Sequence, residues 1–159
     1  MRGLLEPKSL GTTRTGDVSS SSAYQPTSDK NVLEMTLNEI LFKSDQIQDP
    51  YEAMFFLTSG ISYLQIFEDG NKRMGRLLGN LPLKAGLPPM SFLSVDKTQY
   101  IQGLIEFYEL GESDTLSQAL GDGYIQAAHV YRTSTQSQRV PRTIELRRYQ
   151  EINNDIMKF

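Results

Sequence analysis

The side chains that could do chemistry are concentrated in residues 65–76, which read Gln-Ile-Phe-Glu-Asp-Gly-Asn-Lys-Arg-Met-Gly-Arg. Backbone amides at a helix start form an anion site, and Gly70 would let the chain approach a phosphate closely. Arg73 and Arg76 are three positions apart, so on a helix they share a face and could hold different phosphoryl oxygens. Asp69 would repel those phosphates unless a cation such as Mg²⁺ lies between them. The pattern therefore predicts a Mg-polyphosphate site.

The same residues also suit a simpler structure. A Glu-Asp-Gly-Asn sequence is typical of a turn, and Lys72, Arg73 and Arg76 would then form an ordinary solvated helix face. The spacing of glycine and lysine excludes a P-loop. Spacing alone leaves both interpretations open.

Helix signals lie on both sides of this segment. The sequence Asp-Pro-Tyr-Glu at 49–52 is a strong helix start, because Asp can accept the free amides of the first turn and Pro costs no helical hydrogen bond there. The next helix is predicted to begin at Gly70 and to bend or stop at Pro82. The expected buried residues of the first of these helices are Phe56, Leu57, Ile61 and Leu64.

The remaining helices are predicted from caps, breaks and apolar periodicity. One begins at Ser28 and ends near Ile47, carrying an apolar stripe with a helical period. After a break at 86–89, another is capped by Ser94 or Asp96 and ended by Gly111. A further helix begins at Ser113, with Leu116, Leu120 and Tyr124 on its apolar face. The last is predicted at about 143–159 and is amphipathic and charged.

The residue composition along the chain predicts the domain organisation. About half of residues 9–28 are Ser or Thr, which predicts a loop with at most a short hairpin. We expect a single domain over 1–159, with a flap at about 11–26, a helical core at about 28–132 and the last helix at about 143–159. The predicted fold class is mainly α, a compact helical bundle with a short β-hairpin flap near the N-terminus.

Composition excludes several classes of function. The chain has no cysteine and one histidine, His129, so disulfides, thiolate chemistry and multi-His metal sites are excluded. His129 falls on a predicted helix and is expected to be a packed or surface residue. A net charge of −3 provides no overall electrostatic attraction to nucleic acid or to an anionic membrane. No signal peptide or membrane span is predicted, and we expect a cytoplasmic protein.

Residues 65–76 resemble the signature of Fic (Fido) domain proteins, which reads His-x-Phe-x-Asp/Glu-Gly-Asn-Gly/Lys-Arg-x-x-Arg. Every position is compatible except the first, where Gln65 replaces His. The segments 49–53, 81–89, 100–101 and 108–110 are also similar to that family, and the segment from Arg14 to Pro26 is similar to its flap hairpin. The resemblance covers about residues 4–132.

The resemblance implies a protein AMP-transferase (AMPylation) site that uses ATP and Mg²⁺ and modifies a target protein docked on the flap. By position, Phe67 would be the structural anchor and Asp69 the metal ligand. Arg73 and Arg76 would grip the outer phosphates. The implied anion cradle consists of Gly70, Asn71 and Lys72.

Gln65 stands at the catalytic position, where the family places its general base. An amide has no basic lone pair near neutral pH, so it cannot take the proton of a target hydroxyl. We expect Mg-ATP binding with weak or no transfer. Two alternatives stay open: an active adenylyltransferase whose proton goes to water, phosphate or Glu68, and a non-catalytic interaction domain.

Two further departures concern regulation and assembly. Many family members carry an inhibitory helix marked by a Glu-Gly or Glu-Asn pair, and this sequence has neither pair, so inhibition by such a helix is not expected. The helix that normally precedes the flap is reduced to about residues 1–5, which indicates a minimal or incomplete domain. The apolar faces near Leu37 and Phe56 would then be only partly covered by the chain itself. We therefore expect a homodimer or a partner chain to cover them.

Overall fold

The computed structural model describes residues 11–18, 22–84 and 86–156. Within these ranges the chain forms five α-helices, so the prediction of a mainly α fold is confirmed. They are α1 (Lys30–Ser44), α2 (Pro50–Leu64), α3 (Asn71–Gly79), α4 (Lys97–Leu110) and α5 (Asp114–Ile156), with 3-10 turns at Pro82–Lys84 and Phe92–Ser94.

Aspartate side chains begin three of these helices. Asp29, Asp49 and Asp96 each accept hydrogen bonds from backbone amides in the first turn of α1, α2 and α4. The start predicted at 49–52 is confirmed, and Asp96 rather than Ser94 caps α4. The cap of α1 is Asp29, one residue beyond the predicted Ser28, because the Asp29 carboxylate accepts two amides of the first turn.

Close packing of α3 on α2 depends on glycine. A Cβ placed on Gly75 would lie 2.8 Å from the backbone oxygen of Thr58, and one on Gly79 would overlap Oγ1 of Thr58. Any larger residue would force the two helices apart. The two glycines therefore set the separation of the helices that carry the loop at 65–70.

Two apolar clusters hold the bundle together. The larger joins α2, α4 and α5 to the segment between α3 and α4, and its buried members are Met54, Leu83, Met90, Tyr100, Leu104, Tyr108, Leu116, Leu120 and Tyr124. The smaller lies between α1, the end of α2 and the loop that follows, and consists of Leu33, Leu64 and Ile66. The predicted burial of Leu116, Leu120 and Tyr124 is confirmed. Leu37 and Phe56, expected to be under-covered, are each half-buried.

The flap has no β-strand in its described flanks, residues 11–18 and 22–26, and residues 19–21 lie outside the described ranges. The β-hairpin is therefore not seen in these flanks. One reason is that the amide of Arg14 donates to the carbonyl of Ile66 at 3.0 Å, so the flank is bonded to the loop after α2.

The C-terminal region differs from the prediction. The structure has one continuous helix, α5, where the sequence predicted a helix from Ser113 and a separate one at about 143–159. Pro141 removes one helical hydrogen bond and does not end the helix. None of the helices in the described ranges combines the length and apolarity that crossing a membrane requires.

Candidate functional site

The segment 65–70 forms a short loop between two left-handed backbone positions. Gln65 ends α2 with φ 47° and ψ 50°, and its amide donates to the carbonyl of Ile61 at 3.3 Å. Gly70 precedes α3 with φ 85°. A left-handed glycine is common at turns, but Gln65 is a residue type that rarely adopts this conformation. The residue that the sequence analysis places at the catalytic position therefore has an unusual backbone.

Asn71 closes the loop with its side chain. Its Oδ1 accepts from the amide of Phe67 at 2.8 Å, and its Nδ2 donates to the carbonyl of Phe67 at 2.7 Å. The residue is 8% exposed. The Asn71 side-chain amide is thus bonded within the loop, and its backbone N–H at the start of α3 has no acceptor within the helix.

Two neighbouring side chains anchor the loop on the small apolar cluster. Phe67, the predicted anchor, is half-buried against it. Ile66 is 1% exposed and is one of the three buried residues that form the cluster. The deeper anchor is therefore Ile66, which the sequence pattern treats as a variable position.

Asp69, Gly70 and Arg73 meet at the start of α3. The carboxylate of Asp69 accepts from the amide of Gly70 through Oδ1 and from Nη2 of Arg73 through Oδ2, the latter at 3.1 Å. The Arg73 guanidinium also covers Gly70, because a Cβ on Gly70 would lie 3.5 Å from its Nη2. Both charged side chains are largely exposed, so a ligand can reach them.

Arg76 lies one turn further along α3 and is half-buried. Its guanidinium carbon is 5.7 Å from the ring centre of Phe92, which is the range of a cation–π contact. Phe92 in turn packs against Tyr100. Burial raises the pKa of the Tyr100 hydroxyl, and the charge of Arg76 opposes this rise. Arg76 is therefore held by its neighbours before any ligand binds.

The other charged candidates lie on the surface. Glu68 and Lys72 are exposed on either side of Gly70. His129 is exposed on α5, so of the two expected environments, packed or surface, the structure shows the surface one. The structure thus brings together Asp69, Gly70 and Arg73, and it does not place an imidazole in the loop.

The amide donors at the start of α3 complete the candidate site. Gly70 provides no side-chain cap for the helix. The first backbone amides of a helix have no partner within the helix. They therefore remain open to an anion next to the guanidinium of Arg73. In the described ranges, no three His, Cys, Asp or Glu side chains gather in a way that could hold a metal.

An apolar groove of about 470 Å³ lies elsewhere, between α2 and the start of α5. Its walls include Tyr51, Phe55, Phe56 and Leu120. None of its lining residues belongs to the segment 65–76. The groove is therefore separate from the residues that could bind phosphate.

Sequence reasoning missed two contacts that attach the flap to this site. Arg14 is 2% exposed and donates from Nε to the carbonyl of Gln65 at 2.6 Å. Tyr24 stacks on Tyr63 of α2 with ring centres 4.3 Å apart. The available signal was a single arginine and a single tyrosine within a segment otherwise rich in Ser and Thr. That signal does not indicate which residues they contact.

Comparison with known proteins identifies one family. The model of the Fic/DOC family matches residues 3–83, slightly more than half of the chain. The match includes α1, α2, the loop at 65–70 and α3. No curated protein matches the chain.

Proposed function

Because the chain belongs to the Fic/DOC family, we propose that residues 69–76 bind Mg-ATP and that the domain is of the protein AMP-transferase type. Domains of this family generally transfer a nucleoside monophosphate to target proteins. One observation carries the proposal for this chain: Asp69 and Arg73 meet over Gly70 at the open amino end of α3. A carboxylate, a guanidinium and free amides together suit a metal-bound phosphate better than either ion alone.

The donor set fits a magnesium ion that arrives with its nucleotide. Asp69 is one exposed carboxylate, and Mg²⁺ is usually held by one or two carboxylates together with substrate phosphates and water. The ion, when bound, would neutralise phosphate charge beside Asp69. The chain's own part is to present this carboxylate and to supply Arg73 and Arg76 for the phosphate oxygens.

The identity of residue 65 limits the proposed reaction. Transfer of AMP to a hydroxyl needs an acceptor for the hydroxyl proton, and the Gln65 amide cannot serve near neutral pH. Loss of a positioned base typically costs about 10²- to 10⁴-fold in rate. We therefore propose binding of Mg-ATP with weak or no transfer.

The proposed docking surface for a target protein is the flap. Its C-terminal flank is attached to the bundle, because the amide of Ala23 donates to Oε1 of Glu109 at 2.7 Å and Tyr24 stacks on Tyr63. An attached flank suits strand addition by a target segment, since that mode needs a backbone edge in a fixed position. In the Gln65→His chain, removing residues 19–22 is expected to abolish labelling of a target and to leave ATP affinity unchanged.

A second copy or a partner chain is a further part of the proposal. Met35 and Phe42 of α1 are 71% and 68% exposed, and they lie seven positions apart on one side of the helix. Large exposed apolar side chains on one helix face suit a protein contact. Analytical ultracentrifugation of the intact chain would show the mass of the assembly.

Calorimetric titration with ATP and Mg²⁺ tests the binding proposal. The intact chain should bind, and absence of binding would leave a non-catalytic interaction domain as the better function. A transfer assay with labelled ATP then compares the intact chain with Gln65→His. Imidazole has an ordinary pKa of about 6.5, so His at position 65 should create or strongly increase AMP transfer.

The outcomes of the transfer assay separate the alternatives. Labelling by Gln65→His alone, found by mass spectrometry on the chain itself or on lysate proteins, would support the proposal. Labelling by the intact chain at a similar rate would favour the active enzyme, with water, phosphate or Glu68 accepting the proton. If Gln65→His binds ATP and labels nothing, the AMP-transferase assignment is wrong for this chain.

A further inference from the structure

Arg14 carries a charge in the interior of the protein. It is the most buried of the charged side chains in the described ranges, at 2% exposure. Burying a charge is costly unless it is well hydrogen-bonded. No carboxylate of the described ranges forms an ion pair with Arg14, and backbone carbonyls accept its guanidinium protons instead.

These carbonyls come from three separate segments. Nε donates to Gln65 at 2.6 Å and Nη1 to Gly16 at 2.6 Å, and Nη2 donates to Thr27. The backbone amide of Arg14 donates to the carbonyl of Ile66 at 3.0 Å. One residue therefore joins the loop after α2, the flap and the segment that leads into α1.

Arg14 donates two of these four hydrogen bonds to the unusual turn at Gln65. This residue has a left-handed backbone, and among the described residues it is the only one besides glycine with positive φ. Such positions persist when the surrounding contacts determine them. Two successive carbonyls, those of Gln65 and Ile66, are both bonded to Arg14. The direction in which the side chain at position 65 leaves the backbone depends on this turn.

We propose that Arg14 is a positioning residue of the site, which holds the left-handed turn at residue 65 and so fixes the direction of the side chain there. The same contacts fix the N-terminal flank of the flap relative to the loop. The effect on transfer rests on the proposed function, whereas the effect on the turn does not.

Arginine suits this position better than lysine does. A guanidinium has five donors in a rigid planar fork, so it can reach three carbonyls in different directions. A lysine ammonium is a compact point charge on a flexible stem and cannot reproduce that fork. Arg14→Lys therefore keeps the charge and removes the geometry, which makes it the informative variant.

The transfer test uses the Gln65→His chain with and without Arg14→Lys. Misplacement of a reacting group by 1 Å can cost on the order of 100-fold in rate. We expect Arg14→Lys to lower kcat for AMP transfer by about tenfold or more and to change KM for ATP by less than about threefold, because Arg73 and Arg76 hold the nucleotide. An unchanged kcat in folded Arg14→Lys would overturn the proposal.

Ser44→Ala is the matched control. Ser44 is buried at the end of α1, and its Oγ donates to the carbonyl of Leu41 at 2.8 Å. This variant also removes a hydrogen bond of a buried side chain but does not touch the loop at 65–70. It should lower the melting temperature and leave kcat unchanged. If Ser44→Ala lowers kcat as much as Arg14→Lys does, the effect is one of general stability and the proposal fails.

Two measurements on the turn do not depend on catalysis. In a crystal structure of Arg14→Lys, residue 65 should leave the left-handed region, and an unaltered φ would overturn the proposal. If that variant does not fold, NMR of the intact chain decides. The Nε proton of Arg14 should exchange with solvent roughly 100-fold or more slowly than that of the exposed Arg73. A smaller difference would contradict the proposal, and neither result depends on whether Gln65→His transfers AMP.

Discussion

The carboxylate of Asp69 and the guanidinium of Arg73 are bonded to each other across the start of α3, with Oδ2 and Nη2 3.1 Å apart. These are the two side chains that would hold the metal and a phosphate. Their side chains are 67% and 72% exposed, so the ion pair contributes little stability and is easily separated. Without ligand, each charged group neutralises the other. Binding of Mg-ATP would exchange this pair for two new ones.

Replacing Asp69 should change ATP affinity in opposite directions with and without magnesium. With Mg²⁺, Asp69→Asn removes a metal ligand, and we expect ATP to bind about tenfold more weakly. With EDTA, the same change removes a repulsive charge and frees Arg73, so ATP should bind about two- to fivefold more tightly. Calorimetric titration under both conditions gives the two dissociation constants.

Asp122→Asn provides the control for this comparison. Asp122 is an exposed carboxylate of α5, well separated in sequence from the loop. Its replacement makes the same change in net charge and should leave both dissociation constants unchanged. If Asp69→Asn shifts affinity in the same direction with and without Mg²⁺, then Asp69 is not a metal ligand.

Arg76 should contribute strongly to nucleotide affinity. Each charge-assisted hydrogen bond to phosphate is worth roughly 1.5 to 3 kcal/mol, so Arg76→Ala should weaken Mg-ATP binding by about tenfold or more. Lys97→Ala removes an exposed cation at the start of α4 and should have little effect. Calorimetry on the two variants gives the comparison. Equal affinities for both would remove the phosphate assignment of Arg76.

The sequence predicted what is decided locally. Asp49 begins α2 as expected, and Asp96 is one of the two caps expected for α4, because a cap needs only the first turn that follows it. Gly111 ends α4 with φ 75°, a conformation that glycine adopts without steric cost. The order of residues 65–76 was likewise enough to predict a loop followed by a helix. In these cases the interacting groups are neighbours in the chain.

The sequence did not predict contacts that tertiary structure creates. Arg14 and Gln65 are 51 positions apart, and nothing near either residue indicates their hydrogen bond. The left-handed turn at Gln65 has no local signal either, since glycine is the usual residue there. The burial of Ile66 depends on where α1 passes. The sequence alone therefore predicted which residues could form the candidate site. How these residues are positioned could be learned only from the tertiary structure.

The packing of α3 on α2 gives a stability prediction. A Cβ at Gly75 would lie 2.8 Å from the backbone oxygen of Thr58 and 2.9 Å from Oγ of Ser62. Overpacking costs about 1 to 3 kcal/mol, and alanine's better helix propensity offsets about 1 kcal/mol. The difference of these two effects is a loss of up to about 2 kcal/mol, so we expect Gly75→Ala to lower the free energy of unfolding. Urea denaturation measures the change.

Gly121→Ala is the control, because a Cβ at Gly121 in α5 would meet nothing within 4 Å. It should gain the helix propensity alone and raise the free energy of unfolding by about 0.5 to 1 kcal/mol. Opposite signs for the two glycines would support close packing of α2 and α3. A stabilising Gly75→Ala would show that the two helices can separate at no cost.

Alkaline pH should unfold the protein through its buried tyrosines. Burial raises the pKa of Tyr100, Tyr108 and Tyr124, whose side chains belong to the larger apolar cluster. In Tyr108 the charge of a neighbouring Tyr100 phenolate adds to the rise, and in Tyr124 the neighbouring Tyr51 does so. The folded chain therefore keeps these hydroxyls protonated to higher pH than the unfolded chain does.

The sign of the effect follows from proton linkage. The stability contributed by these hydroxyls is fully present below the unfolded pKa of about 10 and is lost as pH rises above it. Each tyrosine that must stay neutral costs roughly 1.4 kcal/mol for every pH unit above 10. The melting temperature should therefore be nearly constant from about pH 7 to 9 and fall steeply above about 10. Circular dichroism gives the melting temperature, and absorbance at about 295 nm follows tyrosinate formation.

Tyr108→Phe isolates one member of this group. The variant removes one hydroxyl that the folded chain must keep protonated. Above about pH 10 its free energy of unfolding should therefore fall less steeply with pH, and the difference in slope should correspond to about one proton. Tyrosinate formation and loss of helical signal should occur together in the intact chain, because exposure of the larger cluster and ionisation are coupled. Should the two signals separate, or should Tyr108→Phe keep the full alkaline slope, then burial of these hydroxyls does not limit stability at high pH.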